Sequence, residues 1–421
     1  MSAIALVDAN AFYCAAHQVF DFRLRNKPIV VLSNNDGMLI AVNKQAKNLG
    51  IKRFRPYFEM KPLLDLHKVT VFSSTYELYG SLSKKMHDVI ASFGEEHINY
   101  SIDEAFLLWK NTELLFDYAS QGKRVRETVW KHTRLPVCVG ISKTATLAKV
   151  ANHIAKKVPG YDGVCTLMSE NDIENGLRVI EIGSVWGIGH RREKTLKHMG
   201  VTTALDLARS NISKMRKEFG VDMERTVREL NGEQCFAFEN GRADKQQIYS
   251  TRSVGERITT LEKLQQALSA HADIASAKAR QQKSLCKTMI VFAGNSPFDA
   301  ESRYNKQITH HFDYPTADVG KITRQVSRMA EQIFTSGVRF YKIGVGLIEL
   351  VEGKHEQYDL FASQPNNELM KVYDDLNSRF GKNTIFLGAQ GIAGKQDWKM
   401  RRDRMSPLYT TSWNDIPVVK C

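Results

Sequence analysis

The first strand of this chain constrains its fold more than any other feature. AIALVDA is apolar, ends at Asp8 and is followed at once by an aromatic pair, Phe12 and Tyr13. Its partners must come from far along the chain, where INYSIDEAFLLW (98–109) and LPVCVGIS (135–142) read as strands separated by amphipathic helix. Helix and strand mixed in this way predict an α+β domain on a mixed or antiparallel sheet. One such domain does not use up 421 residues, which is too long for a single core and implies about two to four domains.

Punctuation along the chain divides the remainder. PIVVLS (28–33), the turn NNDG and MLIAV (38–42) form a hairpin pattern, and NKQAKNLG then places Lys44 and Lys47 on one face of a short basic helix. In TATLAKVANHIAKK (144–157), Leu147, Val150, Ala151 and Ile154 make an apolar helical stripe. Composition changes near 166. Residues 184–232 read as all helix, with a Gly-Ile-Gly turn before basic helix in VWGIGHRREKTLKHMG. Residues 246–350 alternate again, with strands at KTMIVF and KIGVGLIEL and a long helix at LEKLQQALSAHADIASAKARQQK, and a tail follows 352.

A net charge of +13 directs the surface toward polyanions, nucleic acid first. No apolar run is long enough to span a bilayer, and the N-terminus lacks the basic start and apolar core of a signal peptide, so the expected location is the cytoplasm. The six cysteines are far apart and read as reduced core or surface thiols, not as a zinc or redox motif.

The acids at strand ends carry the chemistry. Asp103 and Glu104 lie in apolar sequence with no Lys or Arg between Lys85 and Lys110, and none precedes Arg23 near Asp8. Adjacent strand residues face opposite sides, so both acids project together only if the chain turns there. Three converging carboxylates repel one another and resist ionisation without a cation, and Mg²⁺ suits such an oxygen set. On spacing alone, solvated turn and cap residues explain the same acids equally well.

VDANAFYC, KPIVVLSNNDG, AVNKQAKNLGIK, FSSTYELY, YSIDEAF, VGISKTATLAKVANHIAKK, VWGIGHRREKTLKHMG and ERTVRELNGE, taken in order from residue 3 to about 412, resemble the Y-family DNA polymerases, and among them the bacterial UmuC type. The resemblance implies a right-hand fold: palm at 1–14 and 76–165, fingers at 15–75, a helical thumb with a helix-hairpin-helix at 166–240, an α/β little finger at 246–352 and a C-terminal tail at 353–421. It implies an error-prone, template-directed DNA polymerase for translesion synthesis in the SOS response. Asp8, Asp103 and Glu104, with the Ala9 carbonyl, would hold two Mg²⁺ ions, and Tyr13 would be the steric gate against ribonucleotides. Phe12, Lys44, Lys47 and Lys156 would bind the dNTP, Ala41 having no phosphate role.

By the same resemblance, Gly187, Gly189 and Arg191 would meet primer-template DNA through backbone N–H groups at a helix start. Lys278, Arg280, Lys283 and Lys287 would follow phosphates along the duplex, or form a solvated helix face. QYDLF offers Gln357, Leu360 and Phe361 to the groove of a sliding clamp. A UmuD-like accessory protein and a RecA filament would be further partners. Two other classes share part of the pattern. A catalytically silent Y-family subunit that only binds DNA would not need all three acids, and a palm-fold nucleotide cyclase, which pairs acids with metals, would need neither hairpin nor clamp peptide.

Overall fold

A computed structural model describes residues 2–112, 114–236, 244–353, 367–391 and 396–418. The chain forms two compact units, one of residues 1–241 with 403–421, the other of residues 242–402.

The first unit is built on a five-stranded sheet. Its strands are β1 (Ser2–Ala9), β5 (Glu96–Asn99), β6 (Glu104–Lys110), β7 (Val137–Ser142) and β8 (Val164–Leu167), in the order β5-β6-β1-β7-β8. β1 runs antiparallel to β6 and β7, while β7 and β8 are parallel. This is the mixed sheet that the late partners of the first strand predict.

Strand alternation then decides what each face meets. Ala3, Ala5, Val7 and Ala9 pack with helices Phe12–Phe20, Tyr76–Ala91 and Tyr118–Thr133. Ile4 and Leu6, with Phe106 and Leu108 of β6, pack with Ala145 and Ala148 of helix Ala145–Lys157. The same period assigns Asp8 and Glu104 to the face covered by that helix.

Two devices seat the helix closely. A Cβ on Gly140 of β7 would lie 2.1 Å from the Asn152 backbone nitrogen, so only glycine permits the approach. Asn152 uses the closeness, its buried amide donating to the carbonyls of Leu6 (3.2 Å) and Cys138 (2.9 Å). At the helix N-terminus the Thr146 N–H donates to the buried Glu229 carboxylate (2.8 Å), which also accepts from the Cys235 and Phe236 N–H groups. A carboxylate there is favoured by the unpaired N–H groups and the helix dipole.

A second sheet in the same unit takes the order β3-β2-β4, from β2 (Ile29–Leu32), β3 (Leu39–Val42) and β4 (Thr70–Ser73). β2 and β3 form the expected hairpin, with Asn35 and Asp36 of the turn at positive φ, a conformation these two residue types tolerate. Helices Glu170–Arg178, His190–His198, Ala204–Ala208, Ile212–Phe219 and Val221–Leu230 follow, and their apolar faces share a core with the outer side of helix Ala145–Lys157. Of the cysteines, Cys14, Cys138 and Cys165 are buried free thiols, as is Cys286 in the second unit.

The second unit is a four-stranded antiparallel sheet of β9 (Ile248–Ile258), β10 (Ser284–Gly294), β11 (Asn305–Thr316) and β12 (Phe340–Glu352), ordered β11-β10-β12-β9. Helices Leu261–Gln281 and Val319–Ile333 complete its core. One sequence expectation fails here. Arg280 does not belong to a phosphate-tracking row, because its guanidinium forms a two-pronged pair with Asp374 of helix Asn367–Phe380 (2.6 and 2.7 Å) and donates to the Ala317 carbonyl. Lys278, Lys283 and Lys287 are exposed.

Residues after 352, read from the sequence as one tail, are divided. Helix Asn367–Phe380 packs in the second unit, while residues 403–418 lie in the first. There the Ser73 N–H donates to the Arg404 carbonyl, the Arg404 N–H donates to the Ser73 hydroxyl, and Tyr409 stacks on Phe20 at 4.8 Å.

Candidate active site

Asp8 and Glu104 are direct cross-strand neighbours in the β1–β6 register. The turn before β6 brings Asp103 beside them. The Ser101 hydroxyl accepts from the Glu104 N–H (3.1 Å) and donates to the Asp103 carboxylate (2.7 Å), while the Asp103 carbonyl accepts from the Ala9 N–H (2.9 Å). The alternation breaks at this turn, and both adjacent acids act on Asp8.

The cation missing from the local sequence comes from helix Ala145–Lys157. Lys149 donates to both oxygens of Glu104 (3.0 and 3.2 Å), and Lys156 pairs with Asp8 at 2.5 Å. The two lysines are seven residues apart, two helical turns, and so share the face laid on the sheet. Lys156, expected on a triphosphate, stands on a carboxylate. Burial pushes the Asp8 carboxyl up to about 6, against the opposing pull of Lys156, and Glu104 and Asp103 add to the rise.

Among the described residues no three His, Cys, Asp or Glu side chains meet as a ready-made metal cage. The donor set nevertheless fits Mg²⁺. It is all oxygen, from the carboxylates of Asp8, Asp103 and Glu104, and this ion commonly binds through one or two carboxylates and completes its shell with waters and substrate phosphates. A cavity of about 260 Å³ opens here, lined by Asp8, Glu104, Lys149, His153, Lys156 and Trp186 among others.

Helix Phe12–Phe20 begins beside the acids. Ala11 precedes it in left-handed conformation (φ 47°), and no side chain caps the first turn, leaving its N–H groups to other partners. The Phe12 ring, expected at a dNTP, is core and 3% exposed, which leaves only its backbone for an outside partner. Tyr13 is half-buried and stacks on Tyr79 (4.4 Å, 26°), and its hydroxyl is pushed up by burial and then by Tyr76 and Asp103.

Lys44 and Lys47 separate in their surroundings although the sequence places them on one helical face. Lys44 lines a different cavity of about 330 Å³ with Arg25, Arg134 and Trp130. Lys47 is pulled down by burial and by the charges of Arg53, Lys157 and Lys156. Arg53 and Lys157 therefore join Lys47 and Lys156 in one basic group, which sequence reading missed because Arg53 lies outside the short helix and Lys157 reads as a flanking charge. Ala41 is buried in the core.

In the helical part, Gly187 has φ 83°, and Gly189 caps helix His190–His198 without any side-chain hydrogen bond. A Cβ at either glycine would meet nothing within 4 Å, so the turn is open to solvent, and Arg191 is exposed next to it. Gln357, Leu360 and Phe361 lie outside the described residues.

Comparison with known proteins bears on this geometry directly. Residues 7–153 match the profile described as "impB/mucB/samB family", and residues 245–360 match that family's C-terminal domain. Protein MucB of Salmonella typhimurium is 39% identical over 98% of this chain and 99% of its own length. The chain belongs to the impB/mucB/samB family. Protein UmuC of Salmonella typhimurium is 38% identical over 99% of this chain and 100% of its own, in agreement with the UmuC-type resemblance of the sequence. DNA polymerase IV of Pelotomaculum thermopropionicum is a more distant relative, 24% identical over 91% of this chain and 94% of its own.

Residues 367–419 match a domain of unknown function, DUF4113, so in this family member that domain spans helix Asn367–Phe380 and the segment on β4. A solved Y-family DNA polymerase chimera superposes with a TM-score of 0.64 at 16% identity, covering 83% of this chain and 99% of its own. The fold is that of the Y-family polymerases.

The raised pKa of Asp8 generates a prediction. Its folded value, about 6, exceeds the ordinary 3.8, so between those values the folded state holds the extra proton and stability falls as pH rises. In thermal melts with chelator present, Asp8→Asn should match the native chain near pH 4 and be the more stable above pH 6. A difference that does not vary with pH would refute the assignment.

Proposed function

We propose that this family member is an error-prone, template-directed DNA polymerase that carries out translesion synthesis during SOS mutagenesis, joining dNTPs to a primer 3′-hydroxyl. The observation that carries the reading is the placement of Asp8, Asp103 and Glu104 at the adjoining ends of β1 and β6, within a chain whose fold and relatives are of this class.

Asp8, Asp103, Glu104 and the Ala9 carbonyl would hold two Mg²⁺ ions. When bound, these ions supply a lowered pKa at the attacking hydroxyl and countercharge for the triphosphate. The chain supplies the rest. Lys47, Arg53, Lys156 and Lys157 bind the triphosphate and neutralise pyrophosphate as it leaves, Lys47 being a point charge and Arg53 a planar fork. N–H groups of the uncapped turn at Phe12 and Tyr13 add donors to phosphate oxygens. Tyr13, held by Tyr79, blocks the sugar 2′ position.

The regions follow the right hand: palm 1–14 and 76–165, fingers 15–75, thumb 166–240, little finger 246–352. Gly187 and Gly189 present backbone N–H groups, and Arg191 a charge, to a DNA phosphate. QYDLF, with Gln357, Leu360 and Phe361, tethers the enzyme to a sliding clamp, and a UmuD-like protein and a RecA filament act as accessory partners at the nucleoid. Among the described residues no helix is long and apolar enough to cross a membrane.

Three outcomes test this reading. Asp103→Ala or Glu104→Ala should abolish nucleotide addition in a primer-extension assay while DNA binding stays within a few-fold, and near-normal extension would end the assignment. Tyr13→Ala should raise incorporation of ribonucleotides relative to deoxyribonucleotides, and unchanged sugar discrimination would make Tyr13 a packing residue only. Replacing Leu360 and Phe361 with Ala should shorten products on clamp-loaded templates but leave melting temperature and clamp-free extension alone. Intact clamp stimulation would contradict the tether.

A further inference from the structure

Lys149 is an unusual partner for a carboxylate. Its ammonium lies 4.5 Å from the centre of the Tyr100 ring, 5.1 Å from that of Trp186 and 5.7 Å from that of Phe106, while donating to both oxygens of Glu104. The rings brace one another, Tyr100 edge-on to Trp186 at 5.7 Å and Phe236 against Trp186 at 5.3 Å. The Lys149 side chain is only 15% exposed. An exposed ion pair is mobile and contributes little, whereas a cation enclosed by aromatic faces is attracted from several sides and held in one place.

Two features give the cage a consequence. Both oxygens that Lys149 occupies belong to a carboxylate expected to ligate metal, so ammonium and divalent ion compete for the same lone pairs. One wall of the cage, Trp186, is the residue before Gly187, and thus part of the open turn expected to meet a DNA phosphate. Movement of that turn moves a wall of the box that fixes Lys149.

We propose that Lys149 is a positioning residue that couples DNA binding to metal binding: it holds Glu104 while the protein is free of DNA and yields the carboxylate when the Val185–Gly189 turn engages a duplex. This rests on the polymerase reading above. Reciprocity of binding free energies then requires that DNA tighten metal binding by the same factor that metal tightens DNA binding.

The test uses the full chain and Mn²⁺ as the probe, with free ion counted by electron paramagnetic resonance, with and without a primer-template whose dideoxy end prevents chemistry. The native chain should bind Mn²⁺ about tenfold more tightly with DNA than without it, within the usual range of such couplings. Lys149→Met should bind Mn²⁺ several-fold more tightly than native in the absence of DNA and lose most of the response to DNA. Lys149→Arg, which keeps the charge in the cage, should restore the coupling, and Trp186→Leu should weaken it with Lys149 intact, so that one poorly folding variant leaves the others to decide.

Native-like Mn²⁺ affinity of DNA-free Lys149→Met, or a full DNA response in that variant, overturns the proposal. Glu104→Gln separates the two levels. If it leaves Mn²⁺ binding unchanged with and without DNA, the metal assignment itself fails. If it weakens binding while Lys149→Met keeps the native coupling, only the role of Lys149 falls.

Discussion

Everything at the candidate site depends on how closely helix Ala145–Lys157 lies on the sheet. Gly140 permits the approach, Asn152 ties the helix to strand carbonyls, and Glu229 receives its first turn. With the helix there, two lysines two turns apart reach two carboxylates on neighbouring strands, and a set of acids that would otherwise repel is tolerated. The compensation is incomplete. Asp8 keeps a pKa near 6, because burial outweighs its lysine. An ionised carboxylate buried in this way is stabilised by any further cation that reaches it.

The basic group around Lys47 is the complement of that site. Burial, with the charges of Arg53, Lys157 and Lys156, lowers the affinity of Lys47 for its proton, and cations grouped in this way favour a polyanion near them; Lys156 and Lys157 lie on the helix that covers the first sheet, Lys47 in the short helix after the β2–β3 hairpin and Arg53 in the loop beyond it. The left-handed Ala11 and the helix start without a side-chain cap follow three residues after Asp8.

Much of this was legible in the sequence, and the failures have identifiable causes. The period of two in AIALVDA and EAFLLW gives the faces of β1 and β6, and the isolation of Asp8, Asp103 and Glu104 from nearby Lys and Arg marks the site. The lysines that meet them lie far along the chain, though their seven-residue spacing in TLAKVANHIAKK was visible. Arg280 was misread because its partner, Asp374, comes from a later helix, and a basic helix face does not reveal which of its charges are already paired. The division of the tail had no local sign at all. Ser73 and Arg404 meet through backbone groups and a hydroxyl, which leave no pattern in hydropathy or charge.

The central claim is that this site adds nucleotides where a template base is missing or damaged. The most direct measurement is extension of a primer ending opposite an abasic site, in Mg²⁺, with the purified chain alone and with a UmuD-like partner and an activated RecA filament. The account predicts insertion and continued synthesis past the lesion in at least the assembled reaction, dependent on Mg²⁺. Failure to add any nucleotide there, with the primer-template demonstrably bound and undamaged template also left uncopied, would contradict it.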